Sequence, residues 1–245
     1  MNNPPLLTMS GVSDKGLVRE HNEDTIRWDV SGGWAILADG MGGHLAGEVA
    51  SALAGETIAG HLAQLDHGNA EQVKAALHEA VAAANRAIHA QALADIRCHS
   101  MGTTVVVALA RDDLISCAHV GDSRLYRYNT DDGLVLLSHD HSLVQELVDE
   151  GFISQEEAAS SVHKNVITRA LGLQDTVEVD LLQVPMAPGD LFLLCSDGLS
   201  DKIPHDDLER LLKGGNLDTL AGTLVAEANA RGGEDNISAI LIQVG

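Results

Sequence analysis

The sequence predicts an α+β domain built from two packed antiparallel β-sheets covered by helices. Three observations carry this reading. Apolar runs of strand length follow one another closely at residues 103–110, 114–120 and 123–128, with no room between them for the helical crossover that parallel neighbours need. Two long stretches with apolar residues at helical spacing, 46–65 and 70–94, precede those runs. A second group of strands and helices closes the chain.

Taken in order, residues 1–7 carry two prolines and read as a loose tail, so a single domain is expected over 8–244. The run Trp34-Ala-Ile-Leu-Ala38 ends at Asp39 and reads as a buried strand. The first helix places Ala46, Val49, Ala50, Leu53, Ala54, Ile58 and Leu62 on one stripe, and the second does the same with Val73, Leu77, Ala80, Ala84 and Ile88. Asp112-Asp113 supplies a hairpin turn between two strands, and a further strand is expected at 134–137. A helix over 141–150 stops at Gly151, and a short helix is expected at 166–171. Strands at 177–184 and 191–195, helices at 206–213 and 217–230, and a strand at 237–244 complete the chain.

Composition narrows the function. The 245 residues are 45% hydrophobic but only 2% aromatic, so Ala, Val, Leu and Ile must fill the core. The formal net charge of -21 opposes nucleic acid phosphates and anionic membranes. Cys98, Cys117 and Cys195 form no C-x-x-C pair, which excludes a zinc ribbon, and Cys117 and Cys195 lie in apolar runs. The N-terminus lacks a basic segment followed by an apolar one, and no stretch has the length of a membrane span. A cytoplasmic, monomeric protein is expected.

Chemistry concentrates in acidic residues beside glycines. Asp39-Gly40-Met-Gly-Gly-His44 and Ser196-Asp197-Gly198 each end an apolar strand, and Glu234-Asp235-Asn236 precedes the last one. Gly121-Asp122-Ser-Arg124 is of the same kind, and Asn22-Glu23-Asp24 adds an acidic motif with no glycine nearby. Glycine lets a backbone carbonyl approach whatever the carboxylate holds, and hard divalent cations prefer such oxygen ligands. Each motif read alone is a capped turn. Several at strand ends point to one shared metal site. Arg19 offers a planar cationic fork suited to a phosphoryl group; its competing reading is an ion pair with Glu20 or Glu23.

These motifs together resemble the metal-dependent protein phosphatase family, the type 2C Ser/Thr phosphatases, in its bacterial form. The matching segments are Arg19-Glu-His-Asn-Glu-Asp-Thr25, Asp39-Gly-Met-Gly-Gly-His44, Met101-Gly-Thr-Thr104, Gly121-Asp-Ser-Arg-Leu-Tyr126, Asp140-His-Ser142, Asn165-Val-Ile-Thr-Arg-Ala-Leu-Gly172, Ser196-Asp-Gly-Leu199 and Glu234-Asp-Asn-Ile-Ser238. They cover nearly the whole chain in order. The resemblance implies an αββα sandwich with a flap insertion at about 138–172 that selects substrates. It implies two tightly held Mn2+ or Mg2+ ions and a weaker third, and hydrolysis of phosphoserine and phosphothreonine by a metal-bridging hydroxide. By motif, Asp39 bridges the two ions, the Gly40 carbonyl binds one, and Asp197 and Asp235 complete the other. Asp24 acts through a bound water with Glu23 as a further ligand candidate. Asp122 serves the third ion with Asp197, and Arg19 grips the phosphoryl group. Asp140-His141-Ser142 is taken as structural.

Two departures are visible. Met41 stands where eukaryotic relatives carry His after the Asp-Gly pair, which leaves His44 as the candidate general acid; its alternative is packing against the following helix. Val162-His163-Lys164 stands where bacterial members often have Pro-x-Arg. The expected partners are phosphoproteins and the Ser/Thr kinase that makes them. Two other classes are weighed: a metal-dependent nuclease, disfavoured by charge and few aromatics, and a catalytically idle binding module on the same fold, disfavoured because every expected ligand is present.

Overall fold

A computed structural model describes residues 6–42, 46–65, 69–159 and 161–245. All strand pairings within its two sheets are antiparallel. One sheet comprises β1 (Leu7–Asp14), β11 (Ile237–Val244), β10 (Leu191–Cys195), β7 (Arg124–Asn129) and β8 (Gly133–Leu136), in that spatial order. The other runs β2 (Asp24–Asp29), β3 (Trp34–Met41), β5 (Val105–Arg111), β6 (Leu114–Val120) and β9 (Asp180–Pro185), with the two-residue β4 (Gly102–Thr103) against the end of β3.

Side-chain alternation sorts three apolar layers. On β3, Trp34, Ile36 and Ala38 face α1 (Ala46–Leu62) and α2 (Ala70–Ala94), while Ala35 and Leu37 face the other sheet. On β10, Leu193 and Cys195 face α6 (His205–Gly214) and α7 (Leu217–Ala230), while Phe192 and Leu194 enter the inter-sheet layer. The predicted layering of helices, sheet, sheet and helices is therefore present, and small aliphatic residues fill it as the composition demands. Cys98, Cys117 and Cys195 are all buried thiols.

α2 forms where the pattern placed it because its start is doubly capped. Asn69 accepts from the Gln72 N–H, and Gln72 reaches back to the Asn69 N–H. Its stripe of Val73, Leu77, Ala80, Val81, Ala84 and Ile88 is buried. Asp112, at φ 54°, makes the tight turn between β5 and β6.

Three expectations are corrected. The chain enters the sheet at Leu7, paired with Val244, so ordered structure starts inside the expected tail. The helix expected over 141–150 is α3 (Leu143–Asp149), capped by Ser142. No helix occupies 166–171. That segment is extended, bridging Ser142 to Ile167 and Thr103 to Leu171. Its β-branched Val166, Ile167 and Thr168 disfavour a helix, and its backbone groups find partners at His141 and Thr103 instead. A short α4 (Gln155–Ala159) lies earlier in the 138–172 segment, and α5 (Asp197–Ser200) follows β10.

Candidate metal centre

The antiparallel order brings the acidic motifs to one edge. Asp24 at the start of β2 lies opposite Asp39 near the end of β3. β10 runs toward that edge and β11 away from it, so Asp197 and Asp235 flank the same end. Gly121-Asp122 follows β6 directly, between β6 and β7. The Asp39 carboxyl feels the charges of Asp24, Asp197, Asp122 and Asp235, so five of the predicted acidic residues meet in one place.

The electrostatics are those of a site short of positive charge. Burial, reinforced by Asp24 and Asp197, holds the Asp39 carboxyl well above the usual carboxylate range. Burial pushes Asp24 up to about 7, against hydrogen bonds from Ser238 and Ser196 that favour its charged form. Burial and the charge of Asp197 push Asp122 up to about 8. Burial and Asp235 push Asp197 up to about 6. Glu23 is raised too, chiefly by burial.

Local structure holds each carboxylate in place. The Asp39 N–H donates to Thr104 Oγ1 at 3.1 Å, and its carbonyl accepts from the Thr104 N–H at 2.9 Å and from Thr103 Oγ1 at 2.8 Å. Ser196 Oγ donates to Asp24 Oδ2 at 2.9 Å and accepts from the Ser238 N–H at 3.0 Å, tying β2 to β10 and β11. Asn236 accepts from the Glu23 N–H at 2.8 Å and donates to the carbonyls of His21 and Lys15. Thr104, Ser196 and Asn236 sit in the quoted motifs without an individual role; a polar residue beside a ligand Asp is the signal for Ser196 and Asn236, whereas Thr104 meets Asp39 from 65 residues away.

Two observations test whether this set fits cations. Asp24 Oδ1 and Asp122 Oδ1 are buried without any hydrogen-bond partner, which is costly unless something else binds them. Gly40 lies against the carbonyls of Gly47 and Glu23, where a Cβ has no space. An all-oxygen donor set with orphaned carboxylate oxygens and a close backbone fits hard divalent ions.

Arg19 is half exposed at the rim and donates to Asp235 Oδ2 at 2.7 Å. Its partner is thus Asp235 rather than Glu20 or Glu23. His44 lies outside the described residues. A cavity of about 290 Å³ adjoins the carboxylates, bounded by Asp122 and Asp197 on one side and by Ser142, Gln145, Gln155 and Lys164 of the 138–172 segment on the other. Lys164 reaches across to Asp201 at 2.6 Å. Among the described residues, one further group of potential ligands stands apart from this centre: His119, His141 and Asp180.

Residues 18–234 match the Protein phosphatase 2C family. The chain is similar to Serine/threonine phosphatase stp of Listeria innocua, with 38% identity over 94% of this chain and 93% of the relative. It superposes on the crystal structure of the Mycobacterium tuberculosis serine/threonine phosphatase PstP/Ppp with a TM-score of 0.90 and 37% identity, covering 97% of this chain and 98% of that one. It is also similar to the catalytic domain of PstP in complex with two manganese ions, with a TM-score of 0.88 and 37% identity over 97% of this chain and 98% of that one.

Proposed function

The chain belongs to the protein phosphatase 2C family, and from that premise we propose how its own residues carry out the reaction. It is a metal-dependent Ser/Thr phosphoprotein phosphatase. Asp39, the Gly40 carbonyl, Asp197 and Asp235 would hold the metal pair, with Glu23 beside them, and Asp122 with Asp197 would serve a weaker third ion. When bound, the ions lower the pKa of water toward neutrality and neutralise charge on the phosphoryl oxygens. Asp24 presents its free Oδ1 as an acceptor that orients water for in-line attack on phosphorus. Arg19, at the rim, exchanges its contact with Asp235 for the phosphoryl oxygens of the substrate. No Cys or Ser nucleophile is required. His44 is the proposed proton donor to the leaving seryl or threonyl oxygen.

The observation that carries this reading is the pair of buried, unpartnered oxygens on Asp24 and Asp122 within a single carboxylate cluster. We propose further that the 138–172 segment acts as the flap that selects substrates, because it forms one wall of the cavity beside the carboxylates. The substrates would be phosphoproteins made by a Ser/Thr kinase, and the phosphatase would act as a cytoplasmic monomer. Among the described residues no helix is long and apolar enough to cross a membrane. The test is release of phosphate from a phosphothreonine peptide with Mn2+ and after chelation. Turnover that requires the metal supports the assignment. Metal binding without turnover identifies an idle binding module, and metal-dependent cleavage of DNA or RNA instead of the peptide identifies a nuclease.

A further inference from the structure

We infer that His141 is a positioning residue that aims Asp122 into the metal centre. The inference rests on the reading of Asp122 as a ligand of the weaker ion. Asp122 follows Gly121, whose φ of 105° is open to glycine and whose missing side chain leaves no space against Thr104. A backbone so permissive needs outside bonds to fix its direction. Both come from one residue. The Gly121 N–H donates to His141 Nδ1 at 3.0 Å, and the His141 N–H donates to the Gly121 carbonyl at 3.0 Å. Gly121 is thereby clamped through both of its backbone polar groups.

His141 is itself held on every side. Its carbonyl accepts from the Thr168 N–H at 2.9 Å. Its buried ring stacks on His119, two residues before Gly121, with centroids 4.9 Å apart and planes 19° apart. Because Nδ1 accepts a hydrogen bond, the neutral ring carries its proton on Nε2. Nε2–H faces Asp180 Oδ2 at 3.4 Å, and Arg169 Nη1, which can only donate, gives its hydrogen bond to Asp180 Oδ1 at 2.7 Å and makes none to the protonated Nε2, 3.1 Å away. Asp180 therefore selects the tautomer that the clamp requires, as a carboxylate does for a metal-bound histidine.

Two imidazoles and a carboxylate within 4.8 Å also describe a cation site. Arg169 already supplies the positive charge there, against Asp180. A metal here would have to displace a guanidinium, so the group is assigned to positioning instead.

The test compares His141→Leu, which keeps bulk and removes the acceptor, with His141→Asn, whose Oδ1 accepts near the place of Nδ1. Mn2+ titration calorimetry and phosphopeptide kinetics are run on the full chain, with Asp122→Ala in parallel. His141→Leu is expected to lower affinity for the weaker Mn2+ about tenfold and to lower kcat, with the tight pair and KM unchanged, and His141→Asn to recover most of both. A folded His141→Leu protein with unchanged weak-site affinity and kcat, beside an Asp122→Ala protein that loses them, overturns the positioning role alone. An Asp122→Ala protein that keeps both overturns the underlying reading of Asp122, and this inference with it. Should His141→Leu not fold, Asp180→Ala carries the test. A roughly threefold loss at the weaker ion, smaller than an outer ligand usually costs, supports the role, and no change overturns it.

Discussion

Two clusters of ionisable groups, each buried in part, lie within a few residues of each other, on either side of the turn at Gly121, and they are balanced differently. Around the carboxylate cluster of Asp24, Asp39, Asp122, Asp197 and Asp235, Arg19 stands at the exposed rim and Arg124, near Asp122, is already paired with Asp140, so among the described residues five carboxylates face little balancing charge. Asp24, Asp39, Asp122 and Asp197 are driven toward their neutral forms, and Oδ1 of both Asp24 and Asp122 has no partner. The cluster of His119, His141 and Asp180 contains its own cation, and Arg169 holds the Asp180 carboxyl below its usual value despite partial burial. Buried charge that is balanced internally is part of the framework. Buried charge left unbalanced implies that an ion completes it from outside.

The strongest way to break this contrast is to remove a carboxylate from the unbalanced cluster. Asp39→Asn should lower phosphopeptide kcat/KM by at least about a thousandfold, roughly 4 kcal/mol of transition-state stabilisation. The same protein without metal should melt higher than the wild type, because a mutually repelling set has lost one member. Wild-type turnover in this variant would remove Asp39 from the centre.

The histidine cluster can be probed by acid. Burial, then the neighbouring His141, lowers His119 to about 4, against the opposing charges of Asp180 and Asp140 and with Arg169 adding to the lowering. Its stabilising share is complete above the ordinary histidine pKa of about 6.5. Below that the unfolded chain takes up a proton that the folded chain refuses, so stability is lost as pH falls from about 6.5 to about 4, by at most roughly 3 kcal/mol. Urea midpoints of wild type and His119→Gln, measured at pH 7.5 and 4.5, should converge or cross on acidification. Parallel pH dependence would contradict the assignment of His119 as a buried neutral group.

Arg19 tests the rim. Arg19→Ala should reduce kcat/KM by about one to two decades, the roughly 1.5–3 kcal/mol of a charged phosphate contact. Mn2+ affinity should stay nearly unchanged, and loss of the metals in this variant would make Arg19 structural. The smallest effect is expected at Arg169, whose partner Asp180 is 40% exposed. Arg169→Met should destabilise by about 1 kcal/mol, to the same extent with and without Mn2+. A destabilisation that Mn2+ reverses would mean that the histidine cluster binds the ion after all.

The two clusters also differ in how far the sequence disclosed them. Asp39, Asp197 and Asp235 were legible because each ends or begins a strongly apolar strand, with glycine adjacent or two positions away. The long helices and the central strands were legible because one side-chain period runs unbroken through each. β1 and β2 were not, because they lie at sheet edges, where half-exposed residues such as Thr8, Ser10, Arg27 and Trp28 blur the alternation. The 166–171 segment misled because Val166, Ala170 and Leu171 fall at helical spacing while the backbone is held extended by Thr103 and His141. The part played by His141 lies in a contact between residues 20 apart in sequence, Gly121 and His141, and no local pattern announces it. The Asp24–Ser196–Ser238 chain was hidden for the same reason.

The most direct test of the unbalanced cluster is the metal dependence of stability in the wild-type protein near pH 7. If the carboxylates await cations, adding Mn2+ to metal-free protein should raise Tm progressively with concentration, by the mass-action gain of about 2.7 kcal/mol at a hundredfold excess over Kd. Asp39→Asn should abolish most of that rise. A wild-type Tm that does not move with millimolar Mn2+ or Mg2+ would contradict the account.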